Sequence, residues 1–123
     1  LVFKEGILVA VIENNEGGIL VVTLFGELDN FEANKVRTNL SSAIYRGGVR
    51  AIIWNLEGLL FMDSAGIGLI LGRMRELAPN NGETLILNPS PTREKIFTFS
   101  GLEAHLRHCT VEEAVREVGG VKL

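Results

Sequence analysis

Five of the six residues in Ala51-Ile52-Ile53-Trp54-Asn55-Leu56 are apolar, and they do not alternate with polar ones. A strand with one wet face would alternate, and six residues are too few for a core helix. The run therefore reads as a strand covered on both faces, the situation of a parallel sheet that carries helices. That single expectation removes most all-β and all-α folds.

The surrounding sequence supplies the matching elements. Two β-branched runs, Ile7–Ile12 and Ile19–Phe25, flank Asn14-Asn15-Glu16-Gly17-Gly18, and this turn signal makes the pair a hairpin. The second run leads through Gly26-Glu27-Leu28-Asp29-Asn30 to a helix. Asp29 and Glu32 have capping-box spacing there, and Ala33, Val36, Leu40, Ala43 and Ile44 fall on one face. Gly47-Gly48 supplies the positive-φ positions of a C-cap. After Ala51–Leu56 a second helix runs from Ser64, placed as its N-cap, to about Leu77. Its core positions are Ile67, Ile70, Leu71, Met74 and Leu77; the opposite face holds Ala65, Leu69, Gly72, Arg73 and Glu76, which puts Leu69 on the outside. Gly68 and Gly72 leave backbone bare on this helix, at about 1 kcal/mol each relative to alanine, which suggests close approach by another molecule.

Glu83–Asn88 is the next strand. Ser90 with Pro91 opens a short helix to Phe99, His105–Cys109 is a weak fifth strand, and Thr110 with Glu113 caps a last helix carrying Val111, Ala114, Val115 and Val118. The expectation is a single α/β domain over 1–123: an N-terminal β-hairpin, then alternating helices and strands, in a mixed, mostly parallel sheet of four to five strands with about four helices. Right-handed crossovers bring Asp29, Asp63–Ser64 and Asn88–Ser90 to one edge of that sheet, where ligands of open α/β sheets sit.

Composition narrows the function. The chain has 123 residues, 46% of them hydrophobic, enough for one buried core. A net charge of -3 with scattered charges argues against nucleic-acid or membrane-surface binding. One cysteine, Cys109, excludes an internal disulfide and fits a reducing, cytoplasmic setting. No leader and no apolar run near 18 residues is visible.

Catalytic constellations are not matched. Ser64 stands in Met62-Asp63-Ser64-Ala65-Gly66, not in Gly-x-Ser-x-Gly, and it lacks a histidine partner pattern. His105, His108 and Cys109 lie on one short extended segment and cannot all face one metal ion. Gly66-Ile67-Gly68 has no Lys-Ser or Lys-Thr after it, so it is not a phosphate loop. No catalytic residue, metal or cofactor is expected. On the residues alone, Ser64 is a helix cap, at a place where an added phosphate would also be tolerated by the helix dipole and free N–H groups. Asp29 and Asp63 are read first as caps.

Several blocks, in order, resemble a known family: Gly26-Glu27-Leu28-Asp29, Asn55-Leu56-Glu57, Phe61-Met62-Asp63-Ser64-Ala65-Gly66-Ile67-Gly68, Leu71-Gly72-Arg73 and Phe99-Ser100-Gly101-Leu102. Together they are similar to the STAS-domain anti-sigma factor antagonists, most of all the sporulation sigma-F type, over about Gly18 to Val118. The resemblance implies a non-catalytic binding protein. Its unphosphorylated form would bind an anti-sigma factor that is also an ATP-dependent serine kinase, and so release the sigma factor. Phosphorylation of Ser64 would end binding, and a PP2C-type phosphatase would restore it. The contact surface would comprise Asp29, Asp63, Ser64, Ala65, Gly68, Leu69, Gly72 and Arg73. Two departures stand out: Ala65 replaces a common Ser or Thr, leaving Ser64 as the only hydroxyl in its loop, and Asn30-Phe31 replaces common histidines. The same resemblance leaves open a STAS scaffold or small-ligand sensor without a phosphoswitch.

Overall fold

Gly18 closes the hairpin and ties it to the rest of the sheet. Its φ is +78°, its carbonyl accepts from Arg50 N at 2.9 Å, and a Cβ there would lie 1.9 Å from the Gly48 carbonyl oxygen. Only glycine fits both demands. The computed structural model describes residues 2–5, 8–15 and 17–119. Ile7, expected at the start of the first hairpin strand, lies outside them. Beyond the expected pair the sheet begins one strand earlier, with β1 (Val2–Glu5) antiparallel to β2 (Leu8–Asn15). β2 pairs antiparallel with β3 (Ile19–Leu28), from Asn15 opposite Ile19 to Leu8 opposite Gly26, so Asn14 and Asn15 belong to the strand and not to the turn.

β3 is longer than its apolar run. Gly26-Glu27-Leu28, read in sequence as an approach to a helix, is strand because β5 (Leu59–Met62) runs parallel beside it. A register shift between Gly26 and Glu27 skips Leu60, which is left 76% exposed. β4 (Ala51–Asn55) lies parallel to the earlier part of β3, β6 (Glu83–Leu87) parallel to β4, and β7 (Leu106–Arg107) parallel to β6. The order is β1-β2-β3-β4-β6-β7, with β5 paired to β3, seven strands among the described residues. The two additions to the expected sheet are β1 and β5. The weak fifth strand is trimmed to two residues, since His105 closes a 3-10 turn and its Nδ1 donates to Thr84 O at 2.9 Å.

Four helices follow the expected boundaries: α1 (Asn30–Arg46), α2 (Ser64–Leu77), α3 (Pro91–Phe99) and α4 (Val111–Gly119). Three pack on one face of the sheet, where Val36 and Leu40 of α1, Ile70 and Leu77 of α2, and Phe97 of α3 meet Leu20, Val22, Leu24, Ile52, Trp54 and Ile86. α4 covers the other face, placing Ala114 and Val118 over Ile19, Val21, Ala51, Ile53, Leu85 and Leu87. The run that opened the sequence reading is thus buried on both sides: Ile52 and Trp54 point one way, Ala51 and Ile53 the other. Each of the two isoleucines, removed from water, contributes about 1.5–3 kcal/mol. This packing fixes the strand ends from which the candidate site is built.

Candidate functional site

Leu28 and Met62 are register partners at the ends of parallel strands β3 and β5. The next residues are Asp29 and Asp63, and the Asp63 N–H donates to Leu28 O at 3.4 Å, so the two loops are neighbours. Each aspartate keeps the extended backbone of its strand (φ −103°, ψ −177° and φ −94°, ψ −170°) and caps the helix that follows. Asp29 Oδ1 accepts from Glu32 N, and Asp63 Oδ1 accepts from Ala65 N, both at 2.9 Å. The cap of α2 is therefore Asp63, and Ser64 is its first helical residue. The sequence alone placed the cap one residue late. An N-cap must be the last extended residue, and only the unforeseen strand β5 shows that this is Asp63. Ser64 is exposed, with its hydroxyl unused in capping.

The helix presents Ser64 and Gly68 to solvent, with Ala65 and Gly72 half-buried. Leu69 and Arg73 are placed differently from expectation: both are buried, at 4% and 6% exposure. Leu69 joins the main core, because α1 packs along α2 and covers the side that the period of one helix assigns to solvent. Arg73 sits in that seam. Its Nη1 donates to Leu69 O at 3.3 Å and its Nε to Glu76 Oε1 at 2.8 Å, while Ser41 Oγ of α1 donates to the same carboxylate at 2.9 Å. This chain of bonds ties α1 to α2 beneath the exposed turn.

The glycines divide into two kinds. A Cβ at Gly68 or Gly72 would meet nothing within 4 Å, so internal packing does not require either glycine. A Cβ at Gly66 would lie 2.2 Å from Met62 Cγ, so a side chain there would force Met62 to shift. Between α1 and α2 runs a shallow groove of about 210 Å³, floored by Ala33, Ala65 and Leu69 and edged by Asn30, Asn34, Arg37 and Gly68. The α1 side of this groove was not marked by any sequence motif. Exposed polar residues on a helix carry no signal until the neighbouring helix is in place.

The remaining candidates serve structure. Asn88 is in the left-handed region (φ 55°) and its Nδ2 donates to Cys109 O at 2.8 Å, in the loop that leads into α4. Ser90 caps α3 and receives Arg93 Nη1 at 2.8 Å. His108 Nε2 pairs with Glu94 Oε1 at 2.6 Å, and His105 bonds to β6, so the two histidines point to different elements. Burial, then the nearby Glu113 and Glu117, push the Cys109 thiol up, which disfavours the reactive thiolate. Among the described residues no group of three or more His, Cys, Asp or Glu is placed to hold a metal, and no helix is long and apolar enough to cross a membrane.

A mixed α/β sheet with helices on both faces and an Asp-Ser pair at the mouth of its second helix defines the class. The chain belongs to the STAS-domain family, whose model matches residues 11–118. It is 53% identical over 102 residues to the anti-sigma F factor antagonist of Lysinibacillus sphaericus, covering 83% of this chain and 87% of that one. It superposes on the structure of the anti-sigma factor antagonist SpoIIAA in its unphosphorylated form with a TM-score of 0.88 at 47% identity, over 93% of this chain and 99% of that one. The Bacillus cell fate determinant SpoIIAA in the phosphorylated form matches with a TM-score of 0.81 at 49% identity, over 89% and 98% of the two chains.

Proposed function

We propose that this protein is an anti-sigma F factor antagonist, switched by phosphorylation of Ser64. The observation that carries this reading is the division of labour at the α2 N-terminus. Asp63 holds the cap, which leaves the exposed Ser64 hydroxyl available for modification. It is supported by 53% identity to a sigma-F antagonist and by likeness to SpoIIAA in both unphosphorylated and phosphorylated forms. In this reading the protein is a cytoplasmic, non-catalytic binding module. The anti-sigma factor is its partner and brings the ATP and the serine kinase activity, and a PP2C-type phosphatase resets the serine.

The partner packs against Ser64, Ala65, Gly68 and Gly72, where the two glycines, with no side chain, let it approach the helix backbone closely. Leu69 and Arg73 act from beneath by fixing α2 against α1. Phosphorylation adds about 1.5–2 negative charges. The positive end of α2 tolerates them, but Asp29 and Asp63 already make the loop edge acidic. A partner surface closed over Ser64 would have to bury that charge without a counter-ion. Leaving a buried charge unpaired costs about 3–5 kcal/mol, and 1.4 kcal/mol is tenfold in affinity. The switch needs no change of fold.

Intact mass after mixing with an anti-sigma F factor and magnesium-ATP tests this. One phosphate on Ser64, absent from Ser64→Ala, together with loss of complex on phosphorylation, is expected. A stable complex without phosphorylation would instead indicate a STAS scaffold.

A further inference from the structure

We infer that the docking surface continues from Ser64 across the groove between α1 and α2, and that Arg37 receives a carboxylate of the anti-sigma factor there. This deepens the proposed function and rests on it. The groove is continuous with the phosphoacceptor turn, since Ala65 and Gly68 form one of its walls. Its floor is apolar and well fixed, because Leu69 is core and the Arg73–Glu76–Ser41 chain holds the two helices together. Arg37 is the only charged residue among those lining it.

That guanidinium is exposed and, among the described residues, has no carboxylate partner. Its hydrogen bond is to the neutral Asn34 Oδ1 at 3.4 Å. The contrast with Arg73 and Arg107 is direct, since those pair with Glu76 and Glu117 at 2.8 and 2.7 Å. An arginine over an apolar floor presents a planar fork that matches a carboxylate in two-point geometry. Asp29 and Asp63 at the other end of the groove make the surface bipolar, negative by Ser64 and positive by Arg37. The complementary partner segment is therefore a turn or helix end that is small and apolar in the middle, with an acidic side chain over Arg37. Such a pair fixes register along α2 and speeds encounter.

The test is calorimetric binding to the anti-sigma F factor of Lysinibacillus sphaericus at two salt concentrations, with that organism's own antagonist as the positive control. Arg37→Ala is expected to weaken binding about tenfold, and Arg37→Glu about a hundredfold, with the melting temperature unchanged and a shallower salt dependence. Arg37→Lys is expected to keep part of the affinity. If Arg37→Glu binds like the native chain while phosphorylation of Ser64 still abolishes binding, the groove contact is wrong and the switch stands. A loss with unchanged salt dependence would also overturn the carboxylate contact. If the native chain fails to bind while the control binds, or if phosphorylation has no effect, the proposed function fails and the groove contact with it.

Discussion

Asp29 and Asp63 occupy equivalent places: each follows one of two paired strand residues, Leu28 and Met62, and each caps the next helix with one carboxylate oxygen at 2.9 Å from a backbone nitrogen. Two adjacent helices thus start from one sheet edge with the same device. Yet Ser64 follows Asp63 where Asn30 follows Asp29, so only the second helix opens with a hydroxyl.

The assignment of the cap has a direct consequence for stability. Asp63→Ala is expected to cost about 1 kcal/mol in urea unfolding, and Asp63→Asn much less, since asparagine caps as well. Ser64→Ala is expected to stay within about 0.5 kcal/mol of the native protein. The reverse order would return the cap to Ser64.

Leu69 tests the packing of α1 on α2. Leu69→Ala removes a core side chain and is expected to cost about 2–5 kcal/mol. Leu69→Glu adds the burial of a charge and is expected to cost more, up to loss of the folded state at room temperature. Circular dichroism melts decide it. An unchanged melting temperature for Leu69→Glu would place the residue on the surface after all.

The three glycines of α2 are expected to separate stability from binding. Gly68→Ala and Gly72→Ala add methyls that touch nothing, and each is expected to raise stability by up to about 1 kcal/mol. If a partner approaches the bare backbone there, the same variants lose affinity. Gly66→Ala collides with Met62 and is expected to cost about 1–3 kcal/mol. Chemical denaturation and partner titration of the same samples give both readings.

Acid should loosen the attachment of α4. The Arg107 guanidinium, which donates to Glu117 at 2.7 Å, holds that carboxyl below the usual glutamate range. A lowered folded value means a contribution present above the ordinary pKa of about 4.3 and lost as pH falls through the folded value. Both groups are well exposed, so the effect is small. Melts between pH 6 and 3 should show a decline for the native chain that Glu117→Gln lacks in part.

What the sequence revealed and what it concealed have physical causes. Ala51–Leu56 announced its burial because both faces are covered, and Thr110 with Glu113 announced a cap that forms with bonds of 2.9 and 3.1 Å. β5 stayed hidden because Leu59–Met62 is four residues long and paired through a register shift, with no period to read. That one omission displaced the α2 cap from Asp63 to Ser64. Leu69 and Arg73 were misplaced for a different reason. A helical wheel divides residues between the sheet and everything else, whereas α2 is buried against both the sheet and α1. The proposed phosphoacceptor, Ser64, stood out only through the run from Phe61 to Gly68 as a whole, since a lone exposed serine at a helix start has no chemistry of its own.

Because the helix is capped by the residue before the serine, modifying the serine hydroxyl would not break the cap. A cell that marks and unmarks this hydroxyl would not thereby create a population of unstable molecules for proteases to clear. Both forms would persist for the same lifetime, and the ratio between them could record the balance of kinase and phosphatase instead of the history of synthesis and decay.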